Sequence, residues 1–234
     1  MRRALPLAVF FIALAAMYLI LANGMELAPE FRIAFSVACI LGITIFSFIG
    51  LFDKSFMKYV LFSTIIQFFY FLLDVSTALL IEKSVWFAVL QLINFAVAGG
   101  LFAITMAILY GGLRKDGVRD YAGIYESNQY LALLLCIACL SLGGMPGFNV
   151  FIGEFIIYSS LFTVHPALML GTVFASLVAF LFYFRICYVL FAGKGKKPIS
   201  FGIIPNALST ALAIFTVVLG IAPQILFTIL EMYT

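Results

Sequence analysis

Apolar runs long enough to cross a bilayer recur along the chain, at 4–22, 32–52, 57–81, 86–112, 129–163, 167–191 and 203–230. A helix needs about 20 residues to traverse ~30 Å of hydrocarbon, and tilt absorbs the excess of the longer runs. A soluble domain is excluded, because 65% of the 234 residues are hydrophobic and only 10% are charged. Too few polar residues remain to cover a water-facing surface. The sequence predicts an all-α integral membrane protein, residues 1–234 forming a single transmembrane domain. The first run follows "MRR", yet it exceeds a signal-peptide core and "ANGMEL" is a poor cleavage site, so a retained span is expected.

Basic residues orient the spans. With seven crossings and a cytoplasmic N-terminus, one side collects Arg2, Arg3, Lys54, Lys58, Arg114, Lys115, Arg119, Lys194, Lys196 and Lys197. The other side holds Arg32 and Lys83, with Arg185 near the inner end of the sixth span. That asymmetry is the positive-inside pattern, and it puts the C-terminus outside.

The run at 129–163 is too long for one crossing and too short for two. As one straight helix its 35 residues would reach ~52 Å. "GGMPG" at 143–147 resolves the conflict: Gly143 and Gly144 weaken the helix, Pro146 lacks a donor, and Gly147 reaches conformations closed to other residues. The fifth span is therefore expected to be discontinuous, with Asn149 capping its second half. A break in hydrocarbon survives only when buried in protein or facing a wet cavity, and mid-membrane breaks point to ion or substrate paths. A proline-kinked helix packed against neighbours is the structural alternative.

Glu154 follows two turns later, ~14 Å by helical rise from the outer end of that span. An ionised carboxylate at this depth is costly, so the group discharges and recharges as water or a cation arrives, the behaviour of a relay. Its structural alternative is a protonated glutamate bonded to a neighbouring helix. Asp74 on the third span is a second candidate, unless it reaches water at the interface. On the fourth span Gln91, Asn94 and Thr105 carry a water chain or join helices, and Gln91 and Asn94 share a face. "AGG" at 98–100 admits a close helix neighbour. His165, the one histidine, falls in a short outer turn. Cys39, Cys136, Cys139 and Cys187 lie in apolar segments, and "CIAC" lacks the further ligands that a metal or iron–sulfur site needs. No cofactor or metal is expected. A soluble-catalyst reading fails for want of a nucleophile set or phosphate loop.

"LGGMPGFNVFIGEFIIYSSLF" resembles the discontinuous-helix motif of the large antiporter-like subunits of respiratory complex I, membrane-bound energy-converting hydrogenases and multisubunit cation/proton antiporters. The match to G-x-P-G-x-x-x-F-x-G-E-F runs from Gly144 through Phe155. "GGLFAITMAILYGGLRKDGVRDYAGIY" resembles the family segment before that helix, with Arg119, Asp120 and Gly123 matching parts of its basic loop. "LFDKSFMKYVLFSTI" and "FYFRICYVLFAGK" are similar to flanking family segments. Family members have about fourteen spans in two inverted repeats. The resemblance implies the C-terminal half alone: one five-helix repeat over 32–191, flanked by spans 4–22 and 203–230. Where the family carries a histidine in "HGLF", this chain has Gly99, Gly100, Leu101 and Phe102. A further polar position falls near Gln67 or Phe68. The resemblance assigns Glu154 as the acid of an outer half-channel, the rest being incomplete or supplied by a partner.

The resulting expectation is a proton- or sodium-translocating subunit of a membrane-bound hydrogenase or complex I relative, in a prokaryotic plasma membrane. Its expected partners are antiporter-like and quinone-site-like or hydrogenase-module subunits and lipid, with no nucleic acid. The alternatives are a subunit of a cation/proton antiporter without a redox module, and a non-conducting structural half-subunit.

Overall fold

The computed structural model describes residues 5–23, 27–83, 88–193 and 203–224. Nearly all of them are helical: α1 is Leu5–Asn23, α2 Pro29–Phe52, α3 Phe56–Leu80, α4 Val89–Leu113, α5 Gln129–Leu142, α6 Asn149–Val164, α7 Pro166–Phe191 and α8 Ile203–Ile221. Of these, α1, α2, α3, α4 and α7 are long and apolar enough to cross a membrane, while α5, α6 and the described part of α8 are shorter apolar helices. The chain is an all-α membrane protein. Lys194, Lys196, Lys197, Arg2 and Arg3, which entered the charge argument, lie outside the described residues.

Local chemistry sets the helix ends. Pro29 and Pro166 stand in the first turns of α2 and α7, where a missing N–H costs nothing. Ser55 caps α3 by accepting from the Lys58 N–H at 3.2 Å. Two arginines then satisfy C-terminal carbonyls of neighbouring helices. Arg32 of α2 donates from Nη1 to Leu79 O at 2.8 Å, closing the end of α3. At the opposite end, Arg185 of α7 donates from Nη1 to Leu51 O, to Asp53 O at 2.8 Å and to Tyr59 Oη at 2.8 Å, closing the end of α2. A cation beside a helix C-terminus is also favoured by the helix dipole.

The loop after α2 is stapled to the loop after α4. Ser55 and Gly117 form an antiparallel bridge, Val118 N–H donates to Lys54 O at 2.9 Å, and Ser55 Oγ donates to Asp116 Oδ2 at 2.8 Å. Lys54, Lys58, Arg114, Lys115 and Arg119 therefore gather at one end of the helices, away from Arg32. Burial alone would raise the Asp53 carboxyl, but the Ser55 N–H and the Lys58 ammonium, 3.1 Å away, outweigh it and hold the group below its usual range.

The core joins α2, α3, α4, α5 and α7, and a second cluster seats α1 on α3 and α4 through Phe10 against Phe95, ring centroids 5.3 Å apart. "AGG" does admit neighbours at Gly100, which faces Phe10 of α1 and Leu212 of α8; Gly99 instead accommodates the Phe95 ring of its own helix. All four cysteines are buried free thiols.

Two helical irregularities meet at the centre. The chain leaves helical geometry between Leu142 and Asn149, with Gly144 at φ +70° and Gly147 at φ +95°, left-handed values that side chains disfavour. The turn recovers its own hydrogen bonds: Gly143 N–H to Cys139 O, Gly144 N–H to Ser141 O and Met145 N–H to Leu140 O. Facing it, α4 carries a π turn at Phe95–Gly99. The expectation that Asn149 caps α6 is corrected. Phe148 occupies the cap position without a side-chain bond. Asn149 is the first helical residue, and its amide is taken up across the bundle by Ser141 and Asn94. Finally, α8 lies directly over the break, since a Cβ on Gly220 would come within 2.5 Å of the Phe148 carbonyl carbon.

Candidate functional site

Helix α3 presents a buried polar stripe of Tyr59, Ser63, Gln67, Tyr70 and Asp74, each at most 2% exposed. Steps of three and four residues keep these side chains on one face. The stripe meets α7 along its length: besides the Arg185 bond to Tyr59, Ser63 Oγ lies 2.9 Å from Tyr183 Oη, and Gln67 Nε2 lies 3.4 Å from the same phenol. Gln67 Nε2 also donates to Leu142 O at 3.0 Å, supplying a partner to a carbonyl that the break leaves without a helical donor.

Gln67 passes the network to α4, where Gln91 Nε2 donates to Gln67 Oε1 at 3.1 Å. One turn on, Asn94 accepts at Oδ1 from Asn149 Nδ2 at 3.1 Å, and the Asn94 carbonyl accepts from the same amide at 3.3 Å. A π turn withdraws carbonyls from the regular ladder, so this acceptor is available because α4 is locally widened and underwound. Ser141 Oγ donates to Asn149 Oδ1 at 2.8 Å. The π turn of α4 and the break beyond α5 are thus held together by three side chains.

Glu154 is 2% exposed and faces the break, not the hydrocarbon side occupied by its neighbour Phe155. A Cβ on Gly144 would lie 2.7 Å from the Glu154 carboxyl carbon, so the carboxyl rests on the backbone of the interrupted segment. Tyr158 Oη donates to Glu154 Oε2 at 2.6 Å. Tyr158 Oη also lies 2.6 Å from Ser176 Oγ, which in turn lies 2.7 Å from Tyr70 Oη. A row of hydroxyls on α6, α7 and α3 therefore leads away from the acid.

Several polar atoms in this interior have no partner among the described residues: Glu154 Oε1, Gln91 Oε1, Asn94 Nδ2 and Asp74 Oδ2. Gln91 Oε1 and Asn94 Nδ2 both face Gly153, at 2.8 and 3.1 Å from where its Cβ would stand. A buried unpaired polar atom costs about 1–3 kcal/mol, which water or a cation relieves.

Of the residues singled out from sequence, Gln91, Asn94 and Glu154 converge on the break formed by Gly143, Gly144, Pro146 and Gly147. Asp74 is enclosed by protein and stands one turn beyond Tyr70, without a direct hydrogen bond to Glu154 among the described residues. Among the described residues Thr105 bonds backward, to Leu101 O and Phe102 O of its own helix. His165 sits in the turn between α6 and α7. Sequence reasoning missed Tyr70, Tyr158, Ser176 and Tyr183, and the spacing 59, 63, 67, 70, 74 was the signal for the α3 stripe.

The chain is 30% identical over 150 residues to NADH-quinone oxidoreductase subunit N of Bacillus anthracis, a match covering 61% of this chain and 28% of that one. It thus spans under a third of that curated relative's length. Its fold matches a chain of the archaeal membrane-bound sulfane sulfur reductase with a TM-score of 0.72 at 23% identity, covering 84% of this chain and 33% of the other. A chain of the Mrp complex from Dietzia sp. aligns with a TM-score of 0.72 at 14% identity, over 84% and 45%. Each of these neighbours is a part of a large membrane complex. The family described as NADH:quinone oxidoreductase/Mrp antiporter, transmembrane, matches residues 3–179. The chain belongs to the NADH:quinone oxidoreductase/Mrp antiporter transmembrane family.

Proposed function

We propose that the chain is an ion-translocating membrane subunit of a multisubunit energy-converting oxidoreductase, a complex I or membrane-bound hydrogenase relative, moving protons or sodium past Glu154. The observation that carries this reading is a buried carboxyl laid on an interrupted helix. One of its oxygens is bonded to Tyr158, and the other has no partner among the described residues. A carboxyl that only glued helices together would have both oxygens engaged. The hydroxyl row from Tyr158 through Ser176 to Tyr70 supports one approach to the acid, and the amide set Gln67–Gln91 and Asn94–Asn149 supports a second. Asp74 is a further member on the α3 stripe.

Seven crossings follow if α5 and α6 count as one discontinuous span, with the N-terminus cytoplasmic and the C-terminus outside. In that frame residues 32–191 form one five-helix repeat flanked by α1 and α8. Gathering of Lys54, Lys58, Arg114, Lys115 and Arg119 at one end supports that orientation. Met145, Pro146 and Gly147 are exposed on this chain. Lipid cannot satisfy irregular backbone at membrane depth, which supports coverage by a neighbouring subunit of the antiporter-like, quinone-site-like or hydrogenase-module kind.

The test is Glu154→Gln in the assembled complex reconstituted in vesicles. Ion uptake coupled to the driving reaction is expected to fall to background while assembly persists; unchanged uptake per turnover overturns the assignment. The non-conducting alternative draws support from the direct side-chain bonds that fill much of the interior, and it predicts that unchanged uptake.

A further inference from the structure

At the end of the bundle opposite Arg32, a cavity of about 550 Å³ opens between the α2–α3 loop and the α4–α5 loop. Among the described residues its wall carries three cations, Lys54, Arg119 and Arg185, and no acid, alongside Leu51 and Phe52. The nearby acids are engaged elsewhere. Asp53 is paired with Lys58 at 3.1 Å, Asp116 accepts from Ser55 Oγ and Met57 N–H, and Asp120, beside Gly117, lies 3.5 Å from Lys115. Arg185 is fixed on the α2 carbonyls, so its charge has a set position, whereas Lys54 and Arg119 are exposed. The Ser55–Gly117 bridge fixes the two loops that carry them.

We propose that this cavity binds the phosphate headgroup of an anionic phospholipid. Three converging cations fit a phosphodiester, and Arg offers it paired donors. Lipid is favoured over free phosphate because the cavity's lining passes without interruption into an exposed apolar strip on α2. Phe48 and Phe52 there are 56% and 65% exposed, ready to hold acyl chains below the headgroup. The site is separate from the Glu154 interior and rests only on the chain spanning a membrane.

Photoactivatable phosphatidylglycerol and phosphatidylcholine, added in parallel to membranes holding the assembled complex, test the assignment by peptide mapping. The phosphatidylglycerol probe is expected to label 51–54 and 117–119 preferentially. Lys54→Ala with Arg119→Ala should cut that preference by about fivefold per cation and roughly thirtyfold together. Arg114→Gln, an exposed cation outside the cavity, should leave it unchanged. Equal labelling by both probes, labelling lost to millimolar inorganic phosphate, or an unlabelled cavity crosslinked to another subunit would each overturn the proposal. Ion uptake in the double variant, measured alongside, keeps this outcome distinct from the fate of Glu154.

Discussion

Gly144 answers two demands at once. Its left-handed backbone excludes ordinary residues, and the carboxyl of Glu154 occupies the space where a side chain would begin. Gly144→Ala is expected to lower stability by about 1–2 kcal/mol from backbone conformation alone. It should also displace Glu154 and depress ion uptake. Gly147→Ala meets nothing within 4 Å and is expected to cost stability while largely sparing uptake. Thermal unfolding paired with a vesicle flux assay separates the two, and equal flux in both variants would detach Gly144 from Glu154. Tyr158→Phe removes the donor to Glu154 Oε2 and one of the two hydroxyl partners of Ser176, stripping bonds from buried oxygens at a cost of about 1–3 kcal/mol. An unfolding midpoint unchanged from the parent would mean that water already satisfies those oxygens.

Among the helices, limits were legible from the runs of apolar residues because hydrocarbon thickness dictates their length. The expected start at 57 became Phe56, and the end at 191 became Phe191. "GGMPG" announced the break for the same local reasons that the backbone obeys it. Asn149 was misread because a polar residue before a helix looks like a cap until its partners Ser141 and Asn94, on other elements, are known. The π turn in α4 left no trace in the sequence, since nothing in "FAVAG" differs from an ordinary apolar turn. Arg185 belongs to this scale too, as it ties α7 to the end of α2. Arg185→Leu would strand the carbonyls of Leu51 and Asp53 and is expected to destabilise by roughly 1.5–3 kcal/mol, read by chemical denaturation in detergent. Full recovery by Arg185→Lys would show that charge, not the forked donor, does the capping.

For the whole molecule, charge asymmetry makes a topological prediction that the buried cysteines render easy to check. Cys39, Cys136, Cys139 and Cys187 are all enclosed, so an introduced surface thiol stands out. Lys115→Cys is expected to react with an impermeant maleimide only after cells are opened, and Lys83→Cys in intact cells. The reverse pattern would invert the orientation and move the outer half-channel to the cytoplasmic side. What single-chain reading could not supply is closure at this scale. The turn at 145–147 is exposed, and Gln91 Oε1 and Asn94 Nδ2 near Gly153 have no partner among the described residues.

The seat of Gly220 on the break carries a temporal consequence. Ribosomes complete α6 at Val164, about 40 residues before α8 begins at Ile203, so during synthesis the interrupted segment waits in the translocon's vicinity without its lid. Closure of the break is then ordered by translation: α8 arrives to shut a seam already made. A bulky residue at 220 would stall that docking step and expose the nascent chain to quality-control proteolysis, with the rest of the bundle intact.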